Sequence, residues 1–391
     1  MREETKIVHS GLHPERHEGA VNPPVFHVST ILSQTVDEFR RRRKDWLLEQ
    51  PGTYYGRFGT PTTEALQEAI AALEGGHRTL LYPSGLAACA GALLAFLSSG
   101  DHVLMSDSVY GPTRNFATRF LARFGVSTSF FDPLAGPSIE SQMRPETRVI
   151  YLESPGSLTF EVQDTPAIAE VAHRRGIAVI ADNTWATPLY FKPFDHGVDV
   201  SIQAATKYIV GHSDAMLGAI TCTKSAWPTL KGSTYELGQT AGPDDVYLGQ
   251  RGLRTLAVRL KRHWEAGLAI AQWIAHQPEV ERVLHPALPG NPGHAIWKRD
   301  FTGASGLFGV VLKDGITDRA LCAMIDGLEL YGIGSSWGGF ESLIMPFDPR
   351  EARTATRWPH AGPCFRIHAG LENVEDLIAD LDAGFKRLRS N

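Results

Sequence analysis

From Thr62 to Cys222 the chain alternates short runs of β-forming residues with stretches of helical periodicity, and this alternation limits the fold more than any other feature. Strands that alternate with helices are typical of a mainly parallel sheet covered by helices, an α/β fold. Ligands of such sheets bind beyond the carboxyl ends of the strands. We expect seven strands, at 79–82, 102–105, 127–131, 149–152, 178–181, 200–203 and 218–222. We expect helices at 64–74, 85–97, 112–124 and 166–175.

The two ends of the chain have a different texture. The stretch up to Pro61 is rich in proline and is predicted to be irregular, with the basic run Arg40–Lys44 on a solvated helix face. An amphipathic stretch over 253–277 precedes a mixture of strand and helix, which predicts a second, smaller α+β domain. The predicted division is an arm over 1–59, an α/β domain over 60–252 and an α+β domain over 253–391.

Composition excludes several classes of function. The formal charge of −5 gives no basic excess for neutralising phosphates, so no nucleic-acid partner is expected. The longest apolar run, 86–97, is too short to cross a bilayer, so no membrane partner is expected. Four scattered cysteines form no metal-binding or disulfide pattern. They indicate reduced thiols in a cytoplasmic protein.

The strongest chemical pattern is an acid followed by a lysine at successive strand ends. Asp182 ends an apolar run, and Lys207 follows the next run by a few residues. A buried lysine with a lowered pKa can form a Schiff base with an aldehyde cofactor, and a carboxylate can keep the ring nitrogen of such a cofactor protonated. The spacing is equally compatible with a turn-capping aspartate and a surface lysine.

Three further segments have residue types suited to an anionic or flat ligand. Ser84-Gly85-Leu86 lies between a strand and a helix, where backbone N–H groups and the helix dipole can face a phosphate. Tyr55 and Arg57 lie in a loop and are suited to a phosphate dianion, and Tyr110 follows a strand end and can stack on a ring. Each segment taken alone also fits an ordinary turn or packed loop.

Two other patterns are weak. The histidines at 9, 13 and 17 have helical spacing, but Gly11 and Pro14 break the helix, so no metal site is expected. The glycine-rich run 332–339 follows no βαβ unit and is read as a substrate-pocket loop rather than a dinucleotide cradle.

Taken together, these motifs resemble the pyridoxal-phosphate enzymes of cysteine and methionine metabolism and, within that family, the bacterial cystathionine β-lyases. The resemblance extends over nearly the whole chain. It is carried by 55–57 (YGR), 83–85 (PSG), 152–156 (LESPG), 182–185 (DNTW), 201–214 (SIQAATKYIVGHSD), 285–290 (HPALPG), 297–303 (WKRDFTG), 336–339 (SWGG) and 366–372 (RIHAGLE). It implies a fold-type I pyridoxal-phosphate-dependent transferase architecture.

The resemblance also implies a role for each matching residue. Lys207 is the Schiff-base lysine, Asp182 the partner of the pyridine nitrogen, and Tyr110 the residue that stacks on the ring. The further residues that the resemblance implies for cofactor binding are Gly85, Leu86, Thr206, Tyr55 and Arg57. Those that it implies for substrate binding are Arg366, Ser336, Trp337, Asn183 and again Tyr55. In this family the equivalents of Tyr55 and Arg57 reach a neighbouring subunit's site, so the resemblance implies a homo-oligomer, at least a dimer and in the family a tetramer of two dimers.

The implied reaction is β-elimination from L-cystathionine to homocysteine, pyruvate and ammonia, with cleavage of cystine and other S-substituted cysteines also expected. Two positions depart from the family pattern: Ala204 stands where many relatives carry serine, and Ser335 where the best-known β-lyases carry tyrosine. A γ-lyase or γ-synthase of the same family, or a non-catalytic regulatory protein with the same fold, are the alternatives. The intact set of Lys207, Asp182, Tyr110 and Arg366 opposes the last.

Overall fold

The computed structural model describes residues 1–50 and 52–390. The α-helices are α1 Glu3–His9, α2 Val36–Leu47, α3 Pro61–Glu74, α4 Gly85–Phe96, α5 Gly111–Asn115, α6 Thr165–His173, α7 Thr187–Tyr190, α8 Trp227–Glu236, α9 Pro243–Arg254, α10 Leu256–Ala275, α11 His294–Asp300, α12 Asp318–Asp326 and α13 Val374–Arg389. The strands are β1 Arg78–Tyr82, β2 His102–Ser106, β3 Ser127–Phe131, β4 Thr147–Glu153, β5 Ala178–Asp182, β6 Val200–Gln203, β7 Gly218–Cys222, β8 Val280–Leu284, β9 Leu307–Leu312, β10 Gly332–Ile333, β11 Leu343–Phe347 and β12 Cys364–His368.

The first seven strands form one sheet in the order β1-β7-β6-β5-β4-β2-β3. The pairs from β6 to β3 are parallel, and only β7 runs against both of its neighbours. The mainly parallel seven-stranded sheet expected from the sequence is therefore confirmed. Strands β2, β6 and β7 are buried at every residue, as strands covered by helices on both faces must be.

The other five strands form a second, smaller sheet in the order β10-β11-β12-β9-β8. Its pairs are antiparallel except for the short β10–β11 pair. Helices α10, α12 and α13 cover it with a separate apolar core that includes Phe308, Phe365 and Phe385. The central strand of this sheet, β12, carries Arg366 toward the first sheet.

The expected helix over 253–277 is interrupted. Helix α9 ends at Arg254 and α10 begins at Leu256. The carbonyl of Gly252 would accept the amide of Leu256 in a continuous helix. It accepts the Thr255 amide at 3.1 Å, the Thr255 hydroxyl at 3.2 Å and Nη2 of Arg259 at 2.6 Å instead. These local and side-chain bonds interrupt a stretch whose periodicity alone predicts a single helix.

Two other local expectations also need correction. The helix predicted over 112–124 ends at Asn115, and a π-helical turn and a 3₁₀ turn complete the segment. The hydroxyl of Thr118 donates to the Arg114 carbonyl at 2.9 Å, a local bond that bends helices. The stretch before Pro61 is less irregular than predicted, because Thr35 caps α2 by accepting the Glu38 amide.

The division of the chain at 59/60 and 252/253 remains a prediction. Two residues of the predicted regions, Pro51 and Asn391, lie outside the described residues. The first sheet lies between residues 78 and 222 and the second between 280 and 368. Among the helices of the described residues, none has the length and apolar character that a membrane span requires.

Candidate active site

The carboxyl ends of β4, β5 and β6 meet at one edge of the parallel sheet. Glu153 and Asp182 are direct register partners there, and Lys207 follows β6 in the turn that leads to β7. This placement follows from the parallel order of the strands. We call Asp182, Lys207 and Arg366 the sheet-edge site.

Lys207 is held in this site by contacts with residues 336 and 337, which precede β11 of the second sheet. Its Nζ donates to Oγ of Ser336 at 2.7 Å and lies 5.3 Å from the ring centroid of Trp337. Burial, followed by the positive charge of Arg366, lowers the pKa of Lys207 to about 8, although Asp182 opposes the shift. An amine with that pKa is in part uncharged near neutral pH and can act as a nucleophile or base.

Asp182 is a buried carboxylate with unused acceptor capacity. Its Oδ1 accepts the hydroxyl and the amide of Thr184, whereas Oδ2 has only the Cys89 thiol, 3.8 Å away. Burial raises the pKa of Asp182, and the Thr184 bonds oppose that shift. Such a carboxylate is stabilised by a cationic or N–H partner, and the described residues supply none at Oδ2.

Arg366 approaches from the middle of the second sheet. Its Nη2 donates to the carbonyls of Ser335 and Ser336 at 2.6 and 3.2 Å. Burial lowers its pKa to about 10, so the guanidinium stays charged at neutral pH. Since its bonds within the described residues go to backbone carbonyls and not to a carboxylate, the remaining donors are suited to an incoming carboxylate.

The turn before α4 has the geometry of an anion site. Oγ of Ser84 accepts the Ala87 amide at 3.1 Å, while the amides of Gly85 and Leu86 find no acceptor within the described residues. Leu86 is exposed, so a ligand can reach this helix end. Free amides at the first turn of a 12-residue helix are typical of phosphate binding.

The hydroxyl of Thr206 is bound to the backbone of its own chain. Its hydroxyl donates to the carbonyl of Leu217 at 3.1 Å and accepts the amide of the same residue at 2.8 Å. A hydroxyl has one proton, so this side chain has no donor left for a phosphate in the arrangement described. Its predicted cofactor contact requires the hydroxyl to turn away from Leu217.

Tyr110 is at the entrance to the site. Its backbone amide donates to Oε2 of Glu153 at 2.6 Å, and 45% of its surface is exposed, which leaves the ring accessible to a flat ligand. Burial of its hydroxyl end raises the pKa of Tyr110, with further contributions from Cys89 and Glu153. Tyr110 therefore keeps its proton at neutral pH.

Trp337 and Asn183, two further predicted substrate residues, have different surroundings. Trp337 packs beside Tyr208, with 5.4 Å between ring centroids, and forms one wall next to Lys207. Asn183 is buried, and its Nδ2 donates to the Phe191 carbonyl at 3.1 Å. Its Oδ1 has no partner in the described part of the chain.

Tyr55 and Arg57, which we call the arm pair, are not joined to the sheet-edge site of their own chain. Arg57 donates to the Tyr235 carbonyl at 2.9 Å and lies 4.4 Å from the ring centroid of Phe58. Tyr55 is 40% exposed, and its backbone forms an isolated antiparallel β-bridge with Thr30. Among the described residues, no hydrogen bond, ion pair or ring contact connects the pair to Lys207, Asp182 or Arg366.

Sequence reasoning gave no role to Glu153, although it lies within a quoted motif. Besides the Tyr110 amide, its carboxylate accepts the hydroxyl of Ser157. Burial, and then the charge of Asp182, raise the pKa of Glu153 to about 8. The signal was available, because Glu153 ends a buried strand at the same sheet edge as Asp182.

Comparison with known proteins identifies the family of the chain. A model of the family described as Cys/Met metabolism PLP-dependent enzyme matches residues 4–386. The putative cystathionine beta-lyase of Rhizobium johnstonii is 47% identical over 384 residues, 97% of this chain and 95% of that protein. Cystathionine beta-lyase MetC of Escherichia coli K12 is 45% identical over 392 residues, 98% of both chains. The crystal structure of metB from Corynebacterium glutamicum superposes with a TM-score of 0.90 at 28% identity, covering 99% of this chain and 98% of that one.

Proposed function

Because the chain belongs to the Cys/Met metabolism PLP-dependent enzyme family, we propose that it is a carbon–sulfur lyase acting on L-cystathionine. Its cofactor is pyridoxal 5′-phosphate and its substrate is a small molecule. In the proposed β-elimination the bond between sulfur and the β carbon breaks and homocysteine leaves, and one water molecule converts the remaining three-carbon fragment to pyruvate and ammonia. The observation that carries the proposal is the meeting of a lysine of lowered pKa, a buried carboxylate and an arginine without an acidic partner at one sheet edge.

The residues at this edge suit the cofactor. The free amides of Gly85 and Leu86 accommodate its phosphate, and Oδ2 of Asp182 has capacity for its ring N–H. The accessible ring of Tyr110 provides a stacking face, and Nζ of Lys207 provides the amine that binds the aldehyde. When bound, pyridoxal phosphate supplies an electron sink for negative charge at the substrate's α carbon.

The chain's own residues then orient the substrate and move its protons. The free donors of Arg366 bind the substrate's α-carboxylate, with the Ser336 hydroxyl and Nδ2 of Asn183 as further donors beside it. Lys207 removes the proton from the α carbon, a task suited to an amine with a pKa of about 8. Tyr110, which keeps its proton at neutral pH, or the protonated Lys207 then donates to the leaving sulfur.

The proposal includes assembly and location. The exposure of Tyr55 and the lack of contacts between the arm pair and its own site support completion of the site by the arm of a second copy. The assembly proposed is a dimer, with two dimers forming a tetramer. The four cysteines are free thiols, three of them buried, which supports a cytoplasmic location.

The substrate range depends on the loop over 335–337. Ser335 is exposed and gives its carbonyl to Arg366, and its short side chain leaves space where a tyrosine would stand. We extend the proposed range to cystine and other S-substituted cysteines for that reason.

The test is the identity of the keto acid. Purified protein with pyridoxal phosphate and L-cystathionine should release pyruvate and homocysteine in equal amounts, measured by chromatography and a thiol reagent. A Lys207→Ala variant is the blank, and Lys224→Ala, an exposed lysine of the same domain, is the matched control with unchanged turnover. Release of 2-oxobutyrate and cysteine as the main products contradicts the proposal in favour of a γ-lyase, and absence of all turnover favours a regulatory protein.

A further inference from the structure

Arg259 is a buried guanidinium directly behind the lysine turn, residues 204–211. The residue is 6% exposed, and its pKa is lowered to about 10 by burial. Within the described residues it has no acidic partner. Its hydrogen bonds all go to neutral groups of the chain: Nη1 donates to the Tyr208 carbonyl at 2.8 Å, and Nη2 to the carbonyls of Gly252 and Ile209 at 2.6 and 3.4 Å. Nε donates to the hydroxyl of Thr255 at 2.9 Å.

Two of these acceptors are the carbonyls that immediately follow Lys207. Tyr208 and Ile209 are each 1% exposed, so water cannot replace the guanidinium as their donor. Three backbone bonds lie within the turn: the Lys207 amide donates to the Ala204 carbonyl at 2.9 Å, the Val210 amide to Ala205 at 2.9 Å, and the Gly211 amide to the Lys207 carbonyl at 2.7 Å. None of them engages the carbonyls of Tyr208 and Ile209, so within the described residues these two acceptors depend on a side chain from α10.

Glycine at two positions allows this contact. A Cβ atom on Gly211, whose φ is +73°, would lie 2.0 Å from Nη1 of Arg259. A Cβ atom on Gly252 would lie 2.1 Å from the Val210 carbonyl oxygen. Neither contact can be relieved cheaply, since one involves a fixed guanidinium and the other a backbone oxygen. Helix α9, the guanidinium and the lysine turn are thus fitted to one another without space for adjustment.

We propose that Arg259 is a positioning residue for the reaction at Lys207. It fixes the Tyr208 and Ile209 carbonyls, and through them the Cα of Lys207, so that Nζ stays beside Ser336 and Arg366 as the amine gains and loses its proton. The inference rests on the proposed role of Lys207. Arg259 does not touch substrate or cofactor, so its effect is on the chemical step rather than on substrate binding.

A purely structural role makes a different prediction, and Arg254 provides the comparison. Arg254 is also a largely buried arginine that serves backbone carbonyls, with Nη1 donating to Ile7 and Ser10 at 2.6 and 2.9 Å. It anchors α1 rather than the lysine turn. Replacing it removes the same kind of bond from a neighbouring place in the fold.

The experiment compares Arg259→Lys with Arg254→Lys in the holoenzyme. Lysine keeps the charge, but its donors are on one nitrogen instead of along a planar fork, so it cannot reach the same acceptors at their separate positions. We expect Arg259→Lys to lower kcat by about 10- to 100-fold, the cost of a small misplacement of a catalytic group, with KM within about twofold of wild type. Hydrogen exchange over 204–211 should become faster, and the pH midpoint of the cofactor's visible absorption should move. Arg254→Lys should lose thermal stability without these changes.

Several results overturn the inference. Equal losses of kcat in the two variants, or losses that follow their melting temperatures, assign Arg259 to folding alone. An unchanged exchange rate over 204–211 also contradicts the inference, because the lysine turn would then not depend on Arg259. A rise in KM with kcat intact contradicts it as well, because the effect would then be on substrate binding. If Arg259→Lys fails to fold, the comparison uses Arg259→Gln and Arg254→Gln as apoproteins in a stabilising osmolyte. Hydrogen exchange over 204–211 should then be faster in Arg259→Gln than in Arg254→Gln. Because exchange and absorption require no cystathionine, a failure of the proposed β-lyase activity is distinguishable from a failure of this inference.

Discussion

At the sheet edge, Lys207 and Arg366 are enclosed by their own chain, whereas Tyr55 and Arg57 stand apart from that edge. Ser336 links the two cations of the edge: its hydroxyl accepts a hydrogen bond from Nζ of Lys207, and its carbonyl accepts one from Nη2 of Arg366. Burial lowers the pKa of both Lys207 and Arg366. The arm pair shows neither contact with the edge nor comparable enclosure. The difference supports the proposal that one chain supplies the groups for proton transfer, whereas the arm of a second copy adds to the phosphate end of the site.

Lys207→Ala is expected to have the largest effect, because it removes the covalent anchor and the base together. Turnover of cystathionine should fall by more than about 10⁴-fold, beyond the value of a positioned base alone. The fold should survive, since the side chain makes one hydrogen bond. Stopped-flow thiol release and borohydride trapping of the cofactor measure both losses. Trapping on another lysine in wild-type protein would refute the assignment.

Arg366→Lys is expected to come next. The variant keeps the positive charge but loses the planar fork, so kcat/KM for cystathionine should fall by roughly 10²–10³-fold. Most of the loss should appear in KM, and the cofactor's absorption spectrum should stay close to that of wild type. Arg319→Lys on the exposed side of α12 is the control. A pure loss of kcat would show that Arg366 does not bind the substrate carboxylate.

Arg57→Gln should have a smaller effect and a different signature. If the arm pair serves a neighbour's cofactor phosphate, the variant should bind pyridoxal phosphate about 10- to 100-fold more weakly, the worth of one or two charge-assisted hydrogen bonds. Saturating cofactor should restore most of the activity. Arg41→Gln removes an exposed arginine from the same arm and should leave the affinity unchanged. Equal weakening by both changes would indicate a general charge effect.

The pH dependence of cofactor capture should show the smallest effect. The folded-state pKa of Lys207 is about 8 instead of its ordinary 10.5, so the uncharged amine accumulates as pH rises through about 8. Capture of pyridoxal phosphate by the apoprotein should rise across the same interval. Arg366→Met removes a positive charge that lowers this pKa, and the midpoint should move upward, whereas Arg319→Met should leave it in place. Absorption during a pH-jump series measures the midpoint, and a midpoint near 10.5 would contradict the buried state of the amine.

The same pKa has a consequence for stability. The unfolded chain holds more protons than the folded one between pH 8 and 10.5, so the stability contributed by this group rises with pH over that window. Below about 8 both states carry the charge, and its burial costs stability. Lys207→Met should therefore be more stable than wild type near neutral pH, an advantage that shrinks as pH rises.

The features that sequence could predict are local ones. The strands of the first sheet are short and mostly buried runs, with the edge strand β3 as the exception. Asp182 and Lys207 are predictable because parallel order brings successive strand ends to one edge. The break at Thr255 was missed because the Arg259 side chain, close in sequence, takes the Gly252 carbonyl only in the folded packing. The role of Thr206 in cofactor binding is implied only by the resemblance of its motif, and its hydroxyl is hydrogen-bonded to the backbone of Leu217. No sequence pattern reports which hydrogen bond such a group chooses.

Mixing two inactive variants tests most directly whether the site joins the sheet edge of one chain to the arm of another. Lys207→Ala keeps a normal arm, and Arg57→Gln keeps a normal sheet edge. Subunits exchanged at random and assayed at low pyridoxal phosphate should form hybrid dimers with one complete site in two, restoring about a quarter of wild-type activity. Activity no higher than the mean of the two separate variants would show that each chain completes its own site, and would contradict this account.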